Sequence, residues 1–154
     1  METPPRDLEH GQSERGKIKE NFMNGQQLLN STLRINAAFS LISGLDFVLF
    51  DKNIAAILSE RDLGSLLPTG VSLIVFSIFV FAVSMMKKVN KYLVGIIILM
   101  DALWVFGSVF LLVVGAGSFT KIGLILIALI AAIIAVFAVL QILGLIRHLK
   151  IQTI

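Results

Sequence analysis

Long apolar segments separated by short polar ones dominate the chain from residue 35 to its end. Three of them contain no charged residue: Leu63–Met86, Ala102–Thr120 and Ile122–Ile146. About 20 apolar helical residues cross the roughly 30 Å hydrocarbon core of a bilayer, so each is long enough to span it. A fourth segment, Ile35–Phe50, is shorter and is interrupted by Asp46, but it can span where the bilayer thins locally. The pattern therefore predicts four membrane spans, at about 34–50, 67–86, 92–115 and 121–147.

Basic residues predict how these spans are threaded. Lys87, Lys88 and Lys91 lie between the second and third spans, and Arg34 and Arg147 lie near the two ends of the apolar region. Short connections rich in lysine and arginine stay in the cytoplasm. Because four spans bring both ends of the chain to the same side, both termini are predicted to be cytoplasmic.

The connections predict the fold. Two are short, so neighbouring helices should pack antiparallel. The first outer connection is longer, and Ile54, Ile57, Leu58 and Arg61 have the spacing of a short helix on the outer surface. The predicted fold class is therefore all-α. It is an integral membrane four-helix bundle, antiparallel and up-down, with a short amphipathic helix in the first outer loop.

The amino-terminal region differs in composition from the rest of the chain. Residues 1–33 are polar and predict a cytoplasmic tail whose first dozen residues are disordered, before a four-span domain at 34–150. From Ser13 onward, Ile18, Phe22, Leu29 and Leu33 fall near one helical face. Two interpretations stay open for this part, a helix lying on the membrane surface and a solvated lead-in.

The amino-acid composition excludes several classes of protein and of functional site. With 56% hydrophobic and 15% charged residues, the chain is too apolar for an ordinary soluble domain. It has no cysteine and two histidines, which excludes thiolate metal sites, disulfides and cysteine nucleophiles. The basic residues behind the net charge of +3 lie beside the membrane and do not indicate nucleic acid. No phosphate-binding loop, metal-ligand set or nucleophile–base pair is recognisable, so we expect no enzymatic activity, no catalytic residue, no metal and no cofactor.

A few polar residues inside the apolar segments need an explanation. Lipid cannot satisfy their hydrogen bonds, so such side chains usually face protein or water. Helical spacing puts Asn36, Ser40 and Ser43 on one face of the first span. At about 1.5 Å per residue, these groups, Asp101 and Gln141 fall at similar depths in the inner half of the bundle. We therefore predict one intramembrane polar cluster formed by Asn36, Ser40, Ser43, Asp101 and Gln141.

Asp101 and Trp104 each have two interpretations. Asp101 is most simply an inter-helix fastener that forms hydrogen bonds with its polar neighbours. Its alternative role is a proton or cation site, although no lysine or arginine of the spans is available as its partner. Trp104 is either a packing residue or a contact for an apolar ligand such as a quinone or a lipid tail.

Two short motifs are similar to those of a known group of proteins. "NAAFSLISG" at 36–44 and "DALWVFGS" at 101–108 resemble a loose group of small four-span bacterial inner-membrane proteins of uncharacterised function. The resemblance covers about residues 33–147, and the long polar tail departs from the usual compact start of that group. It implies the four-span architecture and a bacterial source, and no activity. The positions that it marks are Asn36, Ser40, Gly44, Asp101 and Trp104.

These observations favour a small integral membrane protein that acts without enzymatic activity, as an accessory or scaffold subunit through helix packing. One alternative is an oligomeric small transporter or channel with Asp101 as its ion or proton site. Another is a lipid- or quinone-binding membrane module. The expected location is the plasma membrane (the inner membrane of a bacterium), and the expected partners are membrane lipids and either further copies or a larger membrane complex, without nucleic acid.

Overall fold

Helices make up nearly all of the described structure. The computed structural model describes the backbone of residues 6–59, 61, 64–86 and 88–152, and the side chains of these residues between 25 and 150 except residue 116. In chain order the elements are α1 (Arg6–Leu49), α2 (Asp51–Leu58), α3 (Leu67–Ser84), α4 (Lys91–Val114), a 3₁₀ turn (Ala116–Ser118) and α5 (Lys121–Gln152). Four segments are long and apolar enough to cross a membrane: Gly25–Leu49, Leu67–Ser84, Lys91–Val114 and Lys121–Lys150. The predicted all-α bundle of four spans is confirmed.

The first helix is longer than its predicted span. α1 continues without a break for 44 residues, or roughly 66 Å at 1.5 Å per residue. Leu29 and Leu33, which precede the predicted start of the span, are buried in a core that they share with residues of α3 and α4. The helical backbone therefore passes through the expected tail boundary at residue 34. Residues 1–5 and the side chains of Ile18 and Phe22 lie outside the described residues.

Local signals in the sequence set the ends of the next helices. α2 follows α1 almost directly and ends at Leu58, so Arg61, which we expected on the same face, lies beyond it. Pro68 stands in the first turn of α3, where its missing N–H costs no hydrogen bond. The side chain of Asn90 caps α4 by accepting hydrogen bonds from the backbone N–H groups of Tyr92 and Leu93.

Close backbone contacts hold the bundle together. α1 packs extensively on α3 and on α5, and α4 packs on α5, whereas α3 and α4 touch each other little. Gly44 of α1 and Gly70 of α3 face each other so closely that a Cβ on either would lie 2.8 Å from the other's carbonyl oxygen. Gly144 of α5 similarly lies against the backbone and Cβ of Leu29. Small residues let helices approach in this way inside a membrane, where packing drives association.

The exterior of the bundle is apolar. In the most apolar part of α4 and of α5, only 17% of the residues are buried inside the structure. Large side chains such as Phe106 and Val113 are about three-quarters exposed, at 74% and 75%. An apolar surface of this extent is suited to lipid tails and not to water. The chain is thus a small multi-pass membrane protein by the length, composition and exposure of its helices.

Candidate functional site

Asp101 lies at the meeting point of three helices. It is buried on α4, and its Oδ2 atom accepts hydrogen bonds from Asn36 Nδ2 of α1 at 2.8 Å and from Gln141 Nε2 of α5 at 3.0 Å. Ser40, one turn after Asn36, donates to Asn36 Oδ1 at 3.4 Å. We call these four residues the polar cluster. Within the described structure no ion pair involves Asp101, and its hydrogen-bond partners are the two side-chain amides at Oδ2.

The polar cluster unites residues that are 65 and 40 positions apart in the sequence. Each helix contributes a polar side chain from its buried face, because lipid offers no hydrogen-bonding partner on the other face. The Oε1 atom of Gln141 is buried and has no hydrogen-bond partner in the described part of the chain. The side-chain amide of Gln141 therefore has one hydrogen bond, from Nε2 to Asp101, and packing holds the rest of the side chain. The geometry of the cluster suits a fastener between α1, α4 and α5.

Ser43 does not join the polar cluster. It is half-buried on α1, about 10 Å further along the helix than Asn36 at 1.5 Å per residue, and no hydrogen bond connects it to Asp101. Asn36 lies at the depth of Asp101, because the two side chains are hydrogen-bonded, and Ser43 lies about two helical turns beyond them.

A cavity of about 560 Å³ occupies the half of the bundle that contains α2, beyond the polar cluster. Residues from α1 to α5 line it, and most of them are apolar. The polar residues in its wall come from α1, α3 and α4: Ser40, Ser43, Asp46, Thr69, Trp104 and Ser108. Asp101, Asn36 and Gln141 are not among the lining residues, so Ser40 alone belongs to both the cavity wall and the polar cluster.

α2 lies across the end of the cavity that is farther from the polar cluster. Ile54, Ile57 and Leu58 of this helix line the cavity. Hydrogen bonds hold the end of α2 to the start of α5: Thr120 Oγ1 donates to the Ile57 carbonyl at 2.6 Å, and Thr120 N donates to the Leu58 carbonyl at 2.9 Å. The start of α2 is held to the start of α3, because Asp51 accepts hydrogen bonds from Ser65 Oγ and Leu66 N. Both ends of α2 are therefore hydrogen-bonded to residues at the starts of the membrane-spanning helices α3 and α5. We call α2 the cap of the cavity.

Several polar groups of the wall have unused hydrogen-bonding capacity. The Ser108 hydroxyl donates a hydrogen bond to the Trp104 backbone carbonyl at 2.9 Å, so its partner lies within α4 itself. In the described structure, by contrast, the hydroxyls of Ser43 and Thr69, the indole N–H of Trp104 and the carboxylate of Asp46 make no hydrogen bond. Trp104 is half-buried in the wall, as its ligand-contact interpretation requires.

No family model, curated protein or solved structure matches this chain. The geometry of the site therefore carries the functional inference by itself. Among the described residues, no group of three or more His, Asp or Glu side chains could hold a metal ion.

Sequence analysis missed most of the cavity wall. Ile127 and Ile130 of α5, for example, are apolar residues in an apolar run, and no pattern marks them as facing an internal space. Thr69 could have been recognised as a candidate wall residue, since it is a polar residue beside Gly70 at the start of a span.

Proposed function

We propose that this protein is a non-enzymatic membrane module that holds an apolar small molecule in the cavity between its helices. The observation that supports this is the cavity of about 560 Å³, lined by α1 to α5. Ligand cavities are typically about 300–1,000 Å³, mostly apolar, with a few polar groups that orient the ligand. The wall described above has this composition, and it includes an aromatic side chain, Trp104, that can pack against the ligand.

The bilayer is the proposed source of the ligand. α3 and α4 make few contacts with each other, whereas the other neighbouring pairs of long helices pack extensively. The side of the bundle between α3 and α4 is therefore its least tightly packed side, and it faces lipid. Because α2 covers the outer end, an apolar molecule would enter sideways from the membrane.

Trp104 provides a direct test, because it is the only tryptophan of the chain and lines the cavity. Purified protein in a nonionic detergent is titrated with ω-bromododecanol, whose bromine quenches indole fluorescence on contact. Occupation of the cavity should give saturable quenching. Ile130→Phe places a larger side chain in the cavity and should weaken the saturable quenching. Ile125→Phe, on the lipid-facing side of the same helix, should leave the quenching unchanged. Quenching that rises linearly and equally in all three proteins would contradict the proposal.

The proposed location is the plasma membrane (the inner membrane in a bacterium), with both termini in the cytoplasm. The support is the basic connection between α3 and α4 together with the even number of spans. The absence of cysteine makes single-cysteine labelling clean. On intact cells, a membrane-impermeant maleimide should label Lys52→Cys and should reach Lys88→Cys only after permeabilisation. The opposite result would reverse the orientation.

The length of α1 supports a second candidate function, that of an accessory or scaffold subunit. A bilayer with its headgroups is about 40–45 Å thick. The 44 residues of α1 span roughly 66 Å, so its backbone extends beyond the membrane. Such an arm can contact a partner. Protein purified from native membranes should then have a mass above the 16.8 kDa of one chain, and removal of residues 1–24 should abolish the excess. An unchanged mass would remove this candidate.

A further inference from the structure

The polar groups of the cavity wall are concentrated where α1 crosses α3. Ser43 and Asp46 are three residues apart on α1 and so lie on neighbouring parts of one helical face. Between them is Gly44, which packs against Gly70, and Thr69 directly precedes Gly70 on the facing helix. Two hydroxyls and one carboxylate therefore lie near one helix crossing, at the outer end of the cavity.

Asp46 makes this group acidic. Among the described residues it is the only ionisable one in the cavity wall. Its side chain is exposed, and no described residue forms an ion pair or hydrogen bond with its carboxyl group. The basic residues of the outer side are Lys52, Arg61 and Lys121, and none of them lines the cavity. A carboxylate accepts hydrogen bonds and repels an anionic group, and both effects are stronger next to an apolar, low-dielectric space.

The rest of the cavity is suited to a hydrocarbon chain. Because Asn36 lies beside Asp101, Trp104 lies about one helical turn further out than the polar cluster, at roughly the level of Phe39. From there to the level of Asp46 is seven residues of α1, or about 10 Å. Apolar residues of α3, α4 and α5, such as Leu73, Leu111 and Ile130, line the cavity over this distance. The polar end and the apolar remainder together form an amphipathic site.

We infer that the cavity binds a single-chain amphiphile with an amine head, the head lying at Ser43, Asp46 and Thr69 and the tail running inward past Trp104. This inference rests on the proposed function and adds the class of ligand. An ammonium group donates hydrogen bonds to the carboxylate and the hydroxyls and neutralises the charge. An alcohol head makes the hydrogen bonds without the charge, and a carboxylate head is repelled.

The experiment compares three brominated probes with the same tail: ω-bromododecylamine, ω-bromododecanol and ω-bromododecanoate. Trp104 quenching gives the affinity of each for the full-length protein in nonionic detergent. We expect the amine to bind more tightly than the alcohol, and the alcohol more tightly than the carboxylate. Asp46→Asn should weaken amine binding about tenfold, as expected for the loss of a charge-assisted hydrogen bond, and should leave alcohol binding nearly unchanged. Asp46→Glu should restore the preference.

A matched control separates local contact from general surface charge. Asn53→Lys on α2 changes the net charge by the same amount as Asp46→Asn, on the same side of the bundle, at an exposed position that does not line the cavity. It should leave the order of the three probes unchanged, and an equal loss of amine binding would overturn the inference. Equal saturable binding of all three probes, or tightest binding of the carboxylate, would also overturn it while the proposed function stands. Saturable quenching by none of them would refute both.

Discussion

Replacing Gly44 with alanine should destabilise the bundle, because α1 and α3 have no space for a methyl group at their crossing. The added Cβ would lie 2.8 Å from the Gly70 carbonyl oxygen and 2.9 Å from Ile74 Cγ1. Ordinary C···O contacts between helices are about 3.3–3.6 Å, so the two helices must move apart by about 0.5 Å. A backbone carbonyl cannot rotate away as a flexible side chain can.

The expected size of the effect follows from two opposing contributions. Alanine favours the helix over glycine by about 1 kcal/mol. Overpacking an interface costs typically about 1–3 kcal/mol, since a gap of about 0.5–1 Å removes a quarter to a half of each dispersion contact. Gly107→Ala on α4 is the matched control, because no atom lies within 4 Å of its added Cβ. The helix-propensity contribution is common to both, so Gly44→Ala should be less stable than Gly107→Ala by about 1–3 kcal/mol.

The assay is unfolding by an added denaturing detergent, followed by far-UV circular dichroism, with all variants in the same mixed micelles. The double variant Gly44→Ala/Gly70→Ala adds a further check. Once the helices have separated for one methyl group, the second should cost less than it does alone. Equal stability of Gly44→Ala and Gly107→Ala, or strict additivity in the double variant, would refute the close approach of the two backbones.

Three further predictions concern the polar cluster and the cap. Asp101→Ala removes two hydrogen bonds between helices and should lower the free energy of unfolding by about 1–3 kcal/mol in the same assay. Ser108→Ala, which loses a bond only within its own helix, should change it by less, and the reverse order would contradict the fastener role. Thr120→Val removes the bond to the Ile57 carbonyl, so hydrogen exchange of α2 amides should be faster, and Thr120→Ser should keep the native rate. Gly123→Ala places a methyl group against the end of α2 and should also speed α2 exchange, whereas unchanged protection would show that this contact does not hold the cap.

Local composition is sufficient to predict the membrane architecture of this chain. Bilayer thickness fixes the length of a span, and lipid requires uninterrupted apolar surface, so both constraints can be read from local composition. For this reason the spans, the short helix α2 and the inward-facing position of Asp101 follow from residues within each segment. The burial of Leu29 and Leu33 was less visible, because polar residues separate them in the sequence and their partners lie on other helices.

Which polar residues meet depends on how the helices pack against one another. Spacing along a helix gives the face on which a residue lies, but the rotation of each helix and its position along its neighbour depend on contacts between distant segments. The approach of Gly44 to Gly70 and of Gly144 to Leu29 holds α1 against α3 and α5. In the assembled bundle Asn36, not Ser43, lies at the depth of Asp101, and a cavity remains beside α2. An internal space of this kind is a property of five helices together, so no single segment carries a signal for it.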